Sequence, residues 1–192
     1  MYGVVLCGGQ SSRMGKDKGL LTAAAQTWAQ RAADMLFSLS IPVVLAVNES
    51  QYNEYAKLFP GQLVQDDASV GVKGPLQGIL SVHAKLPTED LFVLACDMPL
   101  ITQPLLAMLQ QLAASGKADA YLYTINGEYE PLCAIYTAPA LQRILQLYQQ
   151  ETLQQYSMRQ VLKNIYTSTL AVPPEDTRYF ANLNYPDDLS SL

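Results

Sequence analysis

Residues 2–21 read YGVVLCGGQSSRMGKDKGLL, an apolar run that opens at once into a glycine-rich stretch carrying two serines, an arginine and two lysines. A buried strand that ends in glycines can bring backbone N–H groups close to phosphate oxygens. Ser11 and Ser12 add hydroxyl donors, Arg13 offers a planar fork for two parallel phosphate contacts, and Lys18 supplies a point charge. The glycines Gly8, Gly9 and Gly15 fit neither G-x-G-x-x-G nor G-x-x-x-x-G-K-[ST]. The stretch is also too long for the tight turn of a dinucleotide-binding unit, so a larger anion such as a triphosphate suits it better. The plain alternative is a solvated loop with scattered charges.

Outward from this stretch, apolar runs alternate with helical patterns, which predicts an α/β fold with a mostly parallel sheet covered by helices. Runs at 2–6, 42–47 (PVVLAV) and 91–95 (LFVLA) are continuous enough for strands buried on both faces, and 63–64 make a shorter one. Trp28, Ala32, Met35, Leu36 and Leu39 recur at helical spacing, and a helix is expected over 76–86 after Gly74-Pro75. Further helices are expected over 102–115, 139–150 and 158–163, with strands at 120–124 and 132–136 around the turn pair Asn126-Gly127. Residues 151–157 and 173–177 read as polar surface loops. No repeat or linker divides the 192 residues, so one domain over 1–192 is expected.

A formal net charge of −5 and a pI near 4.7 argue against nucleic acid as a partner. Cys7, Cys96 and Cys133 form no C-x-x-C pair, which suggests buried thiols in a reducing cytoplasm. No leader-like or membrane-spanning run is evident, and a cytoplasmic protein with no membrane partner is expected. The lone His83, within a helix, reads as a packed or solvated side chain.

Two acidic positions fall just after strands. In ACDMPL, Asp97 follows the run LFVLA directly, at the carboxyl end of a strand where ligands of open parallel sheets bind. There it can hold Mg2+ as a hard oxygen ligand, or it can be a turn residue before Pro99. In VQDDASVGVKGPLQG, Asp66 or Asp67 can accept hydrogen bonds from a base or sugar, or simply end a strand.

Taken in order, LCGGQSSRMGKDKGLL, GPLQGIL, ACDMPL, NGEYEPLCAIY and NLNYPDDL resemble the motifs of the molybdenum cofactor guanylyltransferase family, over nearly the whole chain. The chain departs from that pattern at Cys7, in TAAAQT after Leu21, and at Tyr185. The resemblance implies a single three-layer domain with a mostly parallel, Rossmann-like sheet of the nucleotidyltransferase type, and transfer of GMP from GTP to the phosphate of molybdopterin, with Mg2+ as cofactor and pyrophosphate as leaving group. It implies nucleotide contacts from Leu6, Cys7, Gly8, Gly9, Arg13, Lys18, Asn48, Asp66 and Asp97. Arg13, Lys18 and Asp97 would be the catalytic set, with Asp97 holding the metal and Asn182 and Asn184 facing the pterin. Transient contact with molybdoenzyme maturation proteins would follow. The alternatives are a cytidylyltransferase of the same fold and a non-catalytic GTP-binding partner in cofactor insertion.

Overall fold

The computed structural model describes residues 1–8, 17–23, 25–150 and 157–183. Its centre is a seven-stranded sheet whose strands in chain order are β1 (Tyr2–Leu6), β4 (Val43–Val47), β5 (Leu63–Gln65), β6 (Leu91–Ala95), β7 (Ala120–Ile125), β8 (Glu128–Tyr136) and β9 (Thr167–Ala171). The two missing numbers are β2 (Thr22–Ala23) and β3 (Gln26–Thr27), which form a separate two-stranded hairpin. The order across the large sheet is β5-β4-β1-β6-β8-β7-β9, and β8 alone among the seven runs against its neighbours.

Six α-helices cover the sheet: α1 (Trp28–Phe37), α2 (Glu49–Leu58), α3 (Pro75–Lys85), α4 (Gln103–Ala113), α5 (Ala138–Gln149) and α6 (Met158–Leu162). Alternation along β1 divides the interior in two. Val5 points into a core shared with Leu36 of α1, Tyr55 of α2 and Leu106 of α4. Val4 and Leu6 point into a second core with Ile79 of α3, Ile144 of α5 and Val161 of α6. This is the three-layer architecture that period-two strands between two sets of amphipathic helices produce.

Chain direction creates the site. From β1 the chain moves outward through β4 to β5, then returns across β1 to place β6 on its other side, so the order reverses beside β1. Crevices at such a reversal, beyond the carboxyl ends of the strands, are where these sheets bind ligands. Leu6 pairs with both Ala46 and Ala95, which brings the residues following β1, β4 and β6 to one edge.

One sequence expectation needs correction. The segment 173–177 is not an open loop: Pro174–Phe180 is a 3-10 helix, and Phe180 is buried with its ring edge against Tyr123 at 4.8 Å. The anchoring ring at its end converts a polar stretch into ordered structure. Of the other expected loop, only Ser157 lies among the described residues, where it caps α6. His83 is buried, and burial pushes its imidazole below the ordinary value despite a counteracting Gln142 contact, a packed neutral side chain. The three thiols are buried and free, and burial, then Cys96, pushes the Cys7 thiol up. No described helix is long and apolar enough to cross a membrane.

Candidate active site

Lys18 and Asp97, 79 residues apart, meet at the edge of the sheet, with Nζ 3.4 Å from Oδ2. Asp17 sets the lysine's position. Its Oδ1 accepts from the Gly19 amide at 2.9 Å, capping the 3-10 turn Lys18–Leu20, and from the Tyr55 hydroxyl at 2.9 Å. Its Oδ2 accepts from Gln51 Nε2 at 2.6 Å, and the same amide donates to the Cys7 carbonyl at 2.9 Å. The end of β1, the lysine turn and α2 are thus tied together by one carboxylate. Tyr55 is fully buried, and burial foremost raises its hydroxyl, so it stays a donor. Gly19 is required here, because a Cβ would stand 2.1 Å from the Tyr55 oxygen.

Asp97 is held by its backbone. The Leu183 amide donates to its carbonyl at 2.9 Å, and Arg31 Nε of α1 donates to the carbonyl of nearby Pro99. Its side chain is then left for other work: among the described residues, Oδ1 is buried with no hydrogen-bond partner and Oδ2 has only the long contact to Lys18. An isolated, partly exposed ion pair contributes about 0–1 kcal/mol to stability, so a fold has little use for this one. A cation beside a half-free carboxylate suits an anionic ligand that brings its own metal.

Asp66 follows β5, two strands from β1 at the same edge, its amide donating to the carbonyl of Val47 at 2.8 Å. It lines a small cleft with Leu6, Gly8, Ala46, Gly74, Pro75 and Gly78. A Cβ on Gly8 would stand 3.2 Å from Asp66 Oδ2, and one on Gly78 3.3 Å from Oδ1, so the bare backbone at both positions keeps the cleft open. Oδ1 is buried without a hydrogen-bond partner among the described residues. Asp67 differs: it is exposed and caps the turn Ala68–Val70 by accepting from the Ser69 amide at 2.8 Å, and the Ser69 side chain foremost, then this amide, holds its carboxyl below the ordinary value. Of the two acids, Asp66 is the one aimed at the cleft.

Burial pushes the Asp66 carboxyl from 3.8 to about 6. Between those values the folded chain keeps a proton that the unfolded chain has released. The group therefore favours folding below its unfolded value, and that contribution is lost as pH rises through about 6. Asp66→Asn should accordingly gain stability relative to the parent at about pH 7.5 and show little gain at about pH 4, which urea unfolding at the two pH values measures.

The remaining candidates fall into three groups. Leu6, Cys7 and Gly8 sit at the end of β1, with the Cys7 amide bonded to the Ala46 carbonyl at 3.0 Å. Asn48 is the N-cap of α2, its Oδ1 accepting from the Gln51 amide at 3.0 Å while Gln51 answers with a side-chain bond to the Asn48 amide. Asn182 is exposed and adjoins Leu183, the residue anchored to Asp97. Gly9, Arg13 and Asn184 lie outside the described residues. Sequence reasoning missed Asp17, Gln51 and Tyr55; the Asp17-Lys18 pair was visible in the opening stretch, but its partners on α2 become apparent only in three dimensions.

A family model described as a MobA-like NTP transferase domain matches residues 3–169. The chain belongs to the MobA-like NTP transferase family. Among solved structures, it is similar to molybdopterin-guanine dinucleotide biosynthesis protein A from Archaeoglobus fulgidus, at 20% identity and a TM-score of 0.79, covering 100% of this chain and 96% of that one. It is also similar to a CMP:2-keto-3-deoxy-manno-octonic acid synthetase complexed with CTP, at 12% identity and a TM-score of 0.69, with 99% and 95% covered. A third is 4-diphosphocytidyl-2C-methyl-D-erythritol synthase from Anaerococcus prevotii, at 9% identity and a TM-score of 0.70, with 99% and 92% covered. At such identities these likenesses establish the nucleotidyltransferase-type fold. Membership of the MobA-like family makes the protein a nucleotidyltransferase.

Proposed function

We propose that this MobA-like protein transfers GMP from GTP to the terminal phosphate of molybdopterin, forming the guanine dinucleotide cofactor and releasing pyrophosphate. The observation that carries the reading is the approach of Lys18 to Asp97 at the carboxyl edge of the sheet. The ordered motifs, from LCGGQSSRMGKDKGLL to NLNYPDDL, and the likeness to the Archaeoglobus fulgidus protein support the choice of GTP and molybdopterin.

A phosphate monoester is already a nucleophile at neutral pH, so no covalent enzyme intermediate is needed. An acceptor oxygen attacks the α-phosphorus, one P–O bond forms, and the bond to the bridging oxygen breaks as pyrophosphate departs. The chain's task is to align these groups and offset the charge. Lys18, with Arg13, balances the polyphosphate. Leu6, Cys7, Gly8 and Gly9 contribute backbone contacts, Asp66 accepts from the guanosine part and Asn48 approaches the base, while Asn182 and Asn184 face the pterin.

The buried Oδ1 of Asp97, unpartnered among the described residues, is a hard oxygen donor that fits Mg2+, and Asp97 is the residue that would hold it. Bound there, Mg2+ supplies charge neutralisation at the phosphate oxygens. A cytidylyltransferase is the second reading, favoured by the CTP-complexed and diphosphocytidyl neighbours. Pyrophosphate release in the presence of Mg2+, molybdopterin and each nucleoside triphosphate in turn tests both. Release with GTP alone is expected, release with CTP alone establishes the second reading, and release with neither leaves a non-catalytic nucleotide-binding partner.

A further inference from the structure

Glu130 is a half-buried carboxylate on β8, the strand that runs against β6. Pairing of β6 with β8 runs from Leu91↔Tyr136 to Leu94↔Cys133 and then stops. Counted onward residue for residue, that register would set Leu132 opposite Ala95, the last residue of β6, and Glu130 opposite Asp97. On the other flank of β8 the pairing shifts, since Leu122 faces Ala134 but Tyr123 faces Glu130, leaving residues 131–133 as a bulge. Bulges next to active sites re-aim a side chain. This one is secured by its own groups: the Leu132 amide donates to Glu130 Oε1 at 3.1 Å, and the Tyr136 hydroxyl donates to the Pro131 carbonyl at 2.9 Å.

The arrangement leaves half of the carboxylate uncommitted. Among the described residues no hydrogen bond reaches Glu130 Oε2, and the nearby cation Arg159 is paired with Glu128 at 2.9 Å. Burial raises the carboxyl above its ordinary value and the charge of Asp97 adds to this, while the Leu132 amide and the charge of Arg159 oppose it. Such a group, desolvated and near a like charge, adds nothing to folding beyond its bond to Leu132.

The two flanks of Asp97 differ in kind. Toward β1 and β4 lie Lys18, Gly8 and the Asp66 cleft, which suit a nucleotide. Toward β8 lies Glu130, an acceptor-only group when ionised, and the segment anchored to Asp97 through Leu183 carries the exposed Asn182. A carboxylate there repels a second polyphosphate and attracts N–H donors.

We propose that Glu130 is a specificity-determining residue for the acceptor, its carboxylate receiving the adjacent ring N–H and exocyclic amine of a 2-amino-4-oxo pyrimidine edge, the edge that a pterin presents. This inference rests on the proposed function, whose acceptor is a pterin phosphate. It orients the acceptor with its ring toward β8 and its phosphate toward Lys18, the direction an in-line attack on a nucleotide held beside β1 requires.

Glu130→Gln tests it, because the amide oxygen still accepts from Leu132 and the bulge is preserved, while the second oxygen becomes a donor that opposes the pterin's own donors. The expected result is a rise of about tenfold or more in KM for molybdopterin, with KM for GTP and the thermal unfolding midpoint unchanged. An unchanged KM for molybdopterin overturns the inference and leaves the proposed function standing, as does a parallel rise in both KM values. If the parent protein transfers no nucleotide to molybdopterin, the proposed function fails and the inference falls with it.

Discussion

Asp97→Asn is expected to fold normally and to lose roughly 10²- to 10³-fold in the rate of nucleotidyl transfer, the size of loss seen when one preorganised charge-stabilising group is removed. The substitution keeps the shape of the side chain. The backbone carbonyl that receives the Leu183 amide is untouched, and among the described residues the only side-chain partner is Lys18 at 3.4 Å. Losing that pair changes stability by about 1 kcal/mol or less. What disappears is the negative charge on a carboxylate whose buried oxygen has no partner among the described residues. Steady-state pyrophosphate release and a thermal melt separate the two effects. Near-normal turnover would show that Asp97 is a turn residue, as its place before Met98-Pro99 also allows.

Lys18→Ala is expected to weaken nucleotide binding and to slow transfer, together lowering kcat/KM about 10²-fold or more. Asp17 holds the turn through the Gly19 amide, Tyr55 and Gln51, so the loop keeps its course when the lysine side chain is shortened. Lys18→Arg should restore little, because a planar fork does not place a compact charge where the ammonium stood. The Lys18→Ala, Asp97→Asn double variant should be less impaired than the product of the two single losses, since both side chains serve the same polyphosphate. Full multiplicativity would mean that they act on separate ligands.

The sequence was most legible where burial is strongest. β1, β4 and β6 appear as continuous apolar runs because both faces are covered, and α1 appears as a stripe because five of its residues are buried. The helix α2 left no such mark: Tyr55 alone among ESQYNEYAKL is buried, so its pattern is that of a polar surface. Yet Asn48, Gln51 and Tyr55 are the residues through which it grips β1 and the lysine turn. The edge strand β9 was equally hidden, as TSTLA is polar and only partly covered. Its pairing with β7 is a long-range event with no local signal.

The same division runs through the site. The meeting of Lys18 with Asp97 was readable from the topology, since both follow strands that flank the reversal of sheet order. The choice of Asp66 over Asp67 was not. It depends on which carboxylate finds a capping partner, and the Ser69 amide takes Asp67. Glu130 was hidden for a third reason: its placement follows from a register shift between Leu122 and Tyr123, and a bulge inside EYEPLC has no fixed sequence pattern.

The most direct test is a crystal structure of the protein soaked with Mg2+ and a GTP analogue whose α,β-bridge resists cleavage. The triphosphate should lie at the carboxyl edge of β1 with its oxygens in reach of Lys18 Nζ and its metal on Asp97. A nucleotide bound elsewhere, with Lys18 and Asp97 both free of it, would contradict the account.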